Sequence, residues 1–299
     1  MNKLEFSIKQ LTIHNKDGSE ATQANRHRGL IAIAGELHDL GYKLKSAHNL
    51  KPRHIQALVS HWKAREIADV TIRNRLGWLR WVGDHVGKAG LIPKDNAEFG
   101  LVERTPYQGS KARRLDADTL ARVRDETIRL ALQLQAAFGL RREEALKFRP
   151  SIADHGDHIA LKASWCKGGR ARSIPITHLR QRELLDAVAR AAGEGSLIPT
   201  GRSYAKHVQT YKAQTRAAGL GQAHGLRHAY AQWRYKVITG WACPAAGGPS
   251  AEAMSFTDRH FDEMARMQVS NELGHNRIDV TDTYLGRRWA NGHYRKPAA

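Results

Sequence analysis

Two histidines and an arginine stand together in His224-Gly-Leu-Arg227-His228. Further on, Leu273-Gly274-His275 runs nine residues ahead of Tyr284 in Thr-Asp-Thr-Tyr-Leu. The planar fork of an arginine matches two phosphate oxygens at once. A histidine donates a hydrogen bond or moves a proton near neutral pH. A tyrosine phenol can act as a covalent nucleophile. On a basic chain this combination points to cleavage of a phosphodiester through a phosphotyrosine. Such a reaction passes through a five-coordinate phosphorus whose extra negative charge must be neutralised where it develops.

Two upstream segments add to the set. Gly139-Leu140-Arg141 is followed one turn later by Glu144, and Lys167 lies in Cys166-Lys167-Gly168-Gly169-Arg170, ahead of Arg172-Ser-Ile-Pro-Ile. Arg141 and Arg227 are the candidates for neutralising the phosphorus, with Glu144 in reach to hold a guanidinium in place. Tyr284 is the candidate nucleophile. A free phenol titrates near pH 10, so it needs a positive site and an acceptor to ionise. Thr281, Asp282, Gly286 and Arg287 give Tyr284 a polar, exposed setting, whereas Tyr204, Tyr211, Tyr230 and Tyr235 read as core tyrosines. Lys167 at a mobile hairpin tip is the candidate general acid for the leaving 5′ oxygen, with Lys162 a weaker substitute. His224 would orient or deprotonate, His275 would donate to a non-bridging oxygen, and His228 would pack at the helix start as a supporting residue. Taken singly, each of these is more often a surface arginine, a turn lysine or a structural histidine, and 16 histidines raise the chance of coincidence. No Walker-type glycine loop and no acidic pair for two-metal hydrolysis is visible. No metal, ATP or other cofactor is therefore expected.

In this order Arg141, Lys167, His224, Arg227, His275 and Tyr284 resemble the catalytic set of the tyrosine recombinases, or phage-type integrases. Each sits in wording that family uses: G-L-R-x-x-E, K-G-x-x-x-R-x-x-P, H-x-L-R-H, L-G-H and T-x-x-Y-L. The likeness is close over residues 111–288 and holds in outline before them. It implies a site-specific recombinase that cuts and rejoins duplex DNA through a 3′-phosphotyrosine, releasing a 5′ hydroxyl. Such an enzyme integrates or excises a phage or another mobile element and works as a tetramer on two sites. The alternatives are a type IB topoisomerase-like enzyme and a DNA-binding accessory protein without cleavage. A basic RNA-binding protein is less favoured, because no stacking motif is visible.

Composition agrees with a polyanion partner. The 299 residues hold 48 Lys+Arg against 29 Asp+Glu, a net charge of +19 and a pI near 10.2. Nucleic acid ranks ahead of a membrane surface on that balance. Only Cys166 and Cys243 are present, which excludes a disulfide framework and a zinc site. No apolar run is long enough for a membrane span. A cytoplasmic protein is expected, in bacterial cytosol or nucleoid.

These residues need elements to hold them. The reading is a mainly α fold with a small antiparallel β-sheet. A helical, SAM-like core-binding domain covers 1–107, a basic linker 108–114, and a catalytic domain 115–299. The first 20 residues read as an irregular arm. Helical periodicity then covers 21–40, a helix opening at Pro52, and one from Thr71. Arg73, Arg75 and Arg80 are expected on the outer face of the third helix, and with Lys111, Arg113 and Arg114 they are the candidate DNA-backbone contacts. Asp116 is an expected N-cap, followed by a long helix from Leu120 to Phe138 that Gly139 stops. Ile152-Ala153, His158–Leu161 and Arg172–Ile176 read as three strands. Helices follow at 179–193, 203–218, 224–239 and 258–273. Between Arg227 and His275 lies an insertion near 240–259, longer than compact family members show. Its Gly, Pro and Ala content reads as a surface excursion. The basic tail 286–299, with Trp289, is expected to dock on a neighbouring protomer.

Overall fold

The computed structural model describes residues 1–101, 109–166 and 168–289. Lys167, residues 102–108 and tail residues 290–299 lie outside the described residues. The chain divides into two compact units, Met1–Thr105 and Pro106–Ala299.

The first unit is helical. Its helices are α1 (Lys3–His14), α2 (Glu20–Asp39), α3 (Pro52–Ala64) and α4 (Asp69–His85). The expected irregular arm is instead helix α1. Asn2 and Glu5 form a reciprocal capping box that satisfies orphan N–H groups at its start, and Leu4 and Ile8 bury one face. Trp62 is fully buried at the centre of this unit, and its indole N–H donates to Glu36 at 2.6 Å. The arginines of α4 do not form a free outer face. Arg75 donates to Glu36 at 3.1 Å and lies over the Trp62 ring. Arg80 donates to the Pro93 carbonyl and, at 2.8 Å, to Asn96. Arg73 lies 3.8 Å from Asp69 across one helical turn. Arg75 and Arg80 hold their own unit together, and neither is retained as a phosphate contact.

The second unit carries α5 (Ala117–Ala121), α6 (Glu126–Phe138), α7 (Arg142–Leu146) and α8 (Pro150–Ala153). Strands β1 (His158–Leu161) and β2 (Arg172–Pro175) follow, then α9 (Leu179–Ala192), α10 (Tyr204–Ala217), α11 (His224–Thr239), α12 (Phe256–Glu272) and α13 (Asp282–Leu285). Asp116 caps α5 as expected, accepting from the Thr119 N–H. The single helix expected from Leu120 breaks in two, because Asp125 accepts from the Thr127 and Ile128 N–H groups and starts α6 afresh. Ile152-Ala153 is helical and not a strand: Pro150 occupies the first turn of α8. The sheet is therefore two-stranded and antiparallel, with Ile159 opposite Ile174. Phe138, Phe148, Ile159, Ile174, Leu185, Tyr235, Val269 and Leu285 fill the core of this unit.

The insertion is a surface excursion only in part: Cys243 is fully buried in that core with Trp241 and Ala245 packed against it, and Ala251 and Met254 are buried, while Ala246, Gly247, Glu252 and Phe256 are exposed. Space is lacking at two glycines here, one in the insertion and one just after Tyr284. A Cβ on Gly248 would meet the Ala242 carbonyl oxygen at 1.6 Å, and one on Gly286 would meet the Ala245 nitrogen at 2.6 Å. The insertion thus lies directly against the end of α13, the helix that carries Tyr284.

Candidate active site

Helix α12 ends in a Schellman turn. The Gly274 N–H donates to Asn271, and the His275 N–H to Ser270 at 2.9 Å, with Gly274 at φ 72°. This turn leaves the Leu273 carbonyl without a helical partner. Two arginines from distant segments use it. Arg227 donates to it through Nη2, and Arg141 reaches the same oxygen at 3.4 Å. The negative end of the α12 dipole favours both charges there.

Arg227 is 1% exposed. Its Nη1 donates to the Gly139 carbonyl, its Nε lies 3.4 Å from the Tyr284 hydroxyl, and its Nη2 is 3.4 Å from His275 Nε2. Burial pulls its pKa down to about 10, opposed by Tyr284 and helped by Arg141 and Arg172, so it stays charged at neutral pH. Gly139 must be glycine for this anchor. Its φ is 62°, and a Cβ would meet Tyr230 at 2.4 Å.

Arg141 caps α7. Its N–H donates to Glu144 at 2.6 Å and its Nη1 to the same carboxylate at 2.8 Å. Arg172 on β2 grips Glu144 with two bonds, 3.0 and 2.7 Å, while its Nε donates to the Glu272 carbonyl at 2.8 Å. Burial works to raise the Glu144 pKa, but Arg172 and Arg141 outweigh it and hold the group at about 2. Glu144 therefore supports the arginines as a permanent anion. Arg172 was legible only as part of K-G-x-x-x-R, and its grip on Glu144 was not. Between β1 and β2, Arg170 donates to the His275 carbonyl at 3.1 Å.

Tyr284 is buried at 5% exposure, not in the exposed setting expected. The polar neighbours that pointed outward are themselves engaged inward. Fully buried Arg266 donates to Asp262 at 2.8 Å, to Asp282 at 3.1 Å and to the Gly286 carbonyl at 3.1 Å. Gln232 on α11 adds a bond of 3.0 Å to the Tyr284 carbonyl and one of 2.9 Å to Ser110. Of the other tyrosines expected in the core, three hydrogen-bond as core residues do, Tyr211 to Gln135, Tyr230 to Glu272 and Tyr235 to Asp262, whereas Tyr204 is half-buried at the core's edge with Lys147 over its ring.

The three histidines surround the phenol unequally. His275 Nε2 lies 3.3 Å from the Tyr284 hydroxyl. Arginine can only donate, so the same nitrogen facing Arg227 is a lone-pair acceptor. Burial first, then Arg227, Arg141 and Arg172, push His275 down to about 4, so the ring is neutral. His228 packs its ring 4.6 Å from that of Tyr284, and its buried Nδ1 has no hydrogen-bond partner among the described residues. Burial first, then His224, Lys111 and Arg227, lower it to about 4. His224 stands at the exposed mouth, 6.2 Å from the Tyr284 ring, and is lowered by desolvation and then by Arg227 and Arg141.

The linker's described end docks on α11. Arg113 N–H donates to the Gly225 carbonyl at 3.0 Å, and a Cβ on Gly225 would meet both Arg113 Cγ and the Lys111 carbonyl at 2.7 Å. The side chains of Lys111, Arg113 and Arg114 are exposed there.

These burials make stability depend on pH. The folded state holds His228 near 4, below the 6.5 of an unfolded histidine. An unfolded chain then binds the proton first as pH falls. The stability is fully present above about pH 6.5 and is lost toward pH 4. By pH 5 the loss from His228 alone is roughly 2 kcal/mol. We expect the melting temperature of the full chain to fall by several degrees between pH 7 and pH 5, and His228→Phe to flatten that fall. Parallel profiles for the two proteins would refute it.

Comparison with known proteins bears on what this cluster belongs to. The family model described as phage integrase, N-terminal, matches residues 1–92, and that described as integrase matches residues 102–233. Comparison with curated proteins finds no match. Among solved structures, a lambda integrase dimer bound to a COC′ core site aligns at TM-score 0.62 with 13% identity, over 99% of each chain. The Tn1549 transposon integrase in complex with transposon right end DNA aligns at TM-score 0.58 with 12% identity, over 96% of each chain. The XerH site-specific recombinase bound to a palindromic difH substrate gives TM-score 0.58 with 14% identity, over 94% of this chain and 80% of that one. At these identities the structural likeness shows a shared fold. The two sequence matches run in the family's own order along most of the chain. This chain belongs to the tyrosine recombinases, the phage-type integrases.

Proposed function

We propose that Arg141, Lys167, His224, Arg227, His275 and Tyr284 form the catalytic set of a site-specific DNA recombinase, with Glu144 and His228 in support. The observation that carries this reading is the Leu273 carbonyl, which gathers the Arg141 and Arg227 guanidinium groups beside the Tyr284 hydroxyl. His275 and Tyr284 lie beyond the sequence match that ends at residue 233, so their assignment rests on this geometry.

A scissile phosphodiester would bind against the two arginines, beside the Arg227 edge that faces Tyr284 and His275. Neutral His275 Nε2 takes the phenol proton, a change from the donor role expected from sequence. The phenolate oxygen forms a bond to phosphorus, and the bond from phosphorus to the 5′ oxygen breaks. Lys167, proposed from its motif, gives that oxygen its proton. The 3′-phosphotyrosine keeps the bond energy, and a 5′ hydroxyl from another strand reverses the step to rejoin DNA. His224 at the mouth orients the phosphate, and Lys111, Arg113 and Arg114 contact the backbone nearby.

In the wider reading, residues 1–107 form the core-binding domain and 115–299 the catalytic domain, joined by the linker 108–114. A structural relative, lambda integrase, is seen as a tetramer bound to a Holliday junction. A tetramer on DNA is proposed here by analogy, with the tail 286–299 reaching a neighbouring protomer beyond its described start, where Arg288 folds inward and donates to Asp262 at 2.9 Å. A bacterial cytosol or nucleoid suits this role and the two free thiols, Cys166 and Cys243. Among the described residues no helix is long and apolar enough to cross a membrane.

The test is a nicked suicide duplex carrying the joined ends of the host element. A covalent adduct that survives denaturant, with its 5′ end open to kinase labelling, is expected. An adduct on the 5′ phosphate would refute the assigned polarity. No adduct would favour a binding protein without cleavage. Relaxation of supercoiled plasmid by the monomer would favour the topoisomerase-like alternative.

A further inference from the structure

A cleft of about 630 Å³ opens beside the catalytic cluster, lined among others by Arg142, Lys212, Arg216, Tyr211, Gln135 and His224. It adjoins the cluster at two points: His224 faces both, and Arg142 directly follows Arg141 in sequence. Three cations line it and no Asp or Glu does. Arg172 and Arg202 of this unit, by contrast, pair with Glu144 and Asp125. Among the described residues Arg142, Lys212 and Arg216 form no ion pair, and the buried Nε of Arg142 has no hydrogen-bond partner. Lys212 and Arg216 lie one turn apart on the same face of α10, where like charges repel. Three cations gathered in one concavity with no carboxylate among its lining residues are the pattern of an anion site.

We propose that this cleft is a second phosphate subsite. It would hold a phosphodiester next to the scissile one on the same DNA strand. The proposal rests on the recombinase reading above and extends it, since it fixes which way the bound strand leaves the cluster. A phosphate in the cleft would align the scissile linkage against Arg141 and Arg227 by holding its neighbour.

The test pairs Lys212→Gln/Arg216→Gln with a control of equal charge loss, Arg180→Gln/Arg190→Gln on α9. All four side chains are exposed, so the fold is retained in both. Affinity for a duplex of about one site length is measured across a salt series. Loss of one phosphate contact makes the plot of log affinity against log salt shallower by roughly 0.9. A fourfold rise in salt should then cost the wild type roughly three- to fourfold more affinity than the cleft variant. The control should follow the wild type. A cleft variant with the wild-type slope would overturn the subsite while leaving the recombinase reading intact. A wild type that is itself insensitive to salt would remove both. Calorimetry with inorganic phosphate is the second arm. Heat that the cleft variant abolishes, together with an unchanged duplex slope, would make the cleft a site for a free anion and refute the DNA assignment.

Discussion

Tyr284→Phe leaves the fold and the DNA affinity in place and abolishes covalent capture. The hydroxyl is the only atom removed, and in the free protein its hydrogen bonds are long, 3.4 Å to Arg227 and 3.3 Å to His275. Their removal changes little in stability. The ring keeps its packing on His228 and its burial in the core. Chemistry has no substitute, because a phenyl group has no lone pair with which to bond phosphorus. The other described tyrosines of this core are tied elsewhere, as Tyr230 is to Glu272 and Tyr235 to Asp262. The adduct should fall by ~10⁴-fold or more, about 5.5 kcal/mol in the barrier. A suicide substrate on a denaturing gel, with anisotropy for binding, separates the two effects. An adduct that persists in the Phe variant would mean that another residue attacks.

Arg227→Lys should slow cleavage by ~10³-fold even with DNA at saturation. Charge is retained, so a purely electrostatic role would survive the change. Shape is not. The guanidinium reaches Gly139 and Leu273 with two nitrogens and still presents an N–H edge to Tyr284 and His275. A lysine ammonium is one point on a flexible stem and cannot span these positions together. One buried carbonyl is left short of a donor, a cost of roughly 1–3 kcal/mol in stability. Single-turnover cleavage and thermal melting on the same preparation check both parts. A rate within tenfold of wild type would show that Arg227 is structural.

Much of this site was legible in sequence because the chemistry is carried by short local wording. The whole of α11 was readable from His224 to Thr239, since its motif opens it and Gly240 ends it in the left-handed region. What was not legible depended on partners far along the chain. Tyr284 looked exposed because Thr281 and Asp282 are polar, yet Arg266, 16 residues before Asp282, draws that segment inward. Arg75 and Arg80 looked outward-facing because helical periodicity says nothing of Glu36 or of the Pro93 carbonyl. The insertion was misjudged in part through composition: Gly and Ala cannot supply bulk, but they permit close approach, which is how Gly248 and Gly286 are used. Caps misled at two points. Asn2 with Glu5 made a helix of the supposed arm, and Asp125 broke a continuous apolar pattern into two helices.

The Arg227 guanidinium is held in place by peptide oxygens, those of Gly139 and Leu273, and Arg141, held by Glu144, shares the second. No codon change deletes a peptide oxygen. Sequence drift at Leu273, whose side chain is wholly buried, can loosen packing while leaving the acceptor itself on the chain. The vulnerability lies instead in the ends of α6 and α12, because the acceptors keep their positions only while those helices are wound. Heat that frays either terminus should silence the enzyme before the rest of the unit melts.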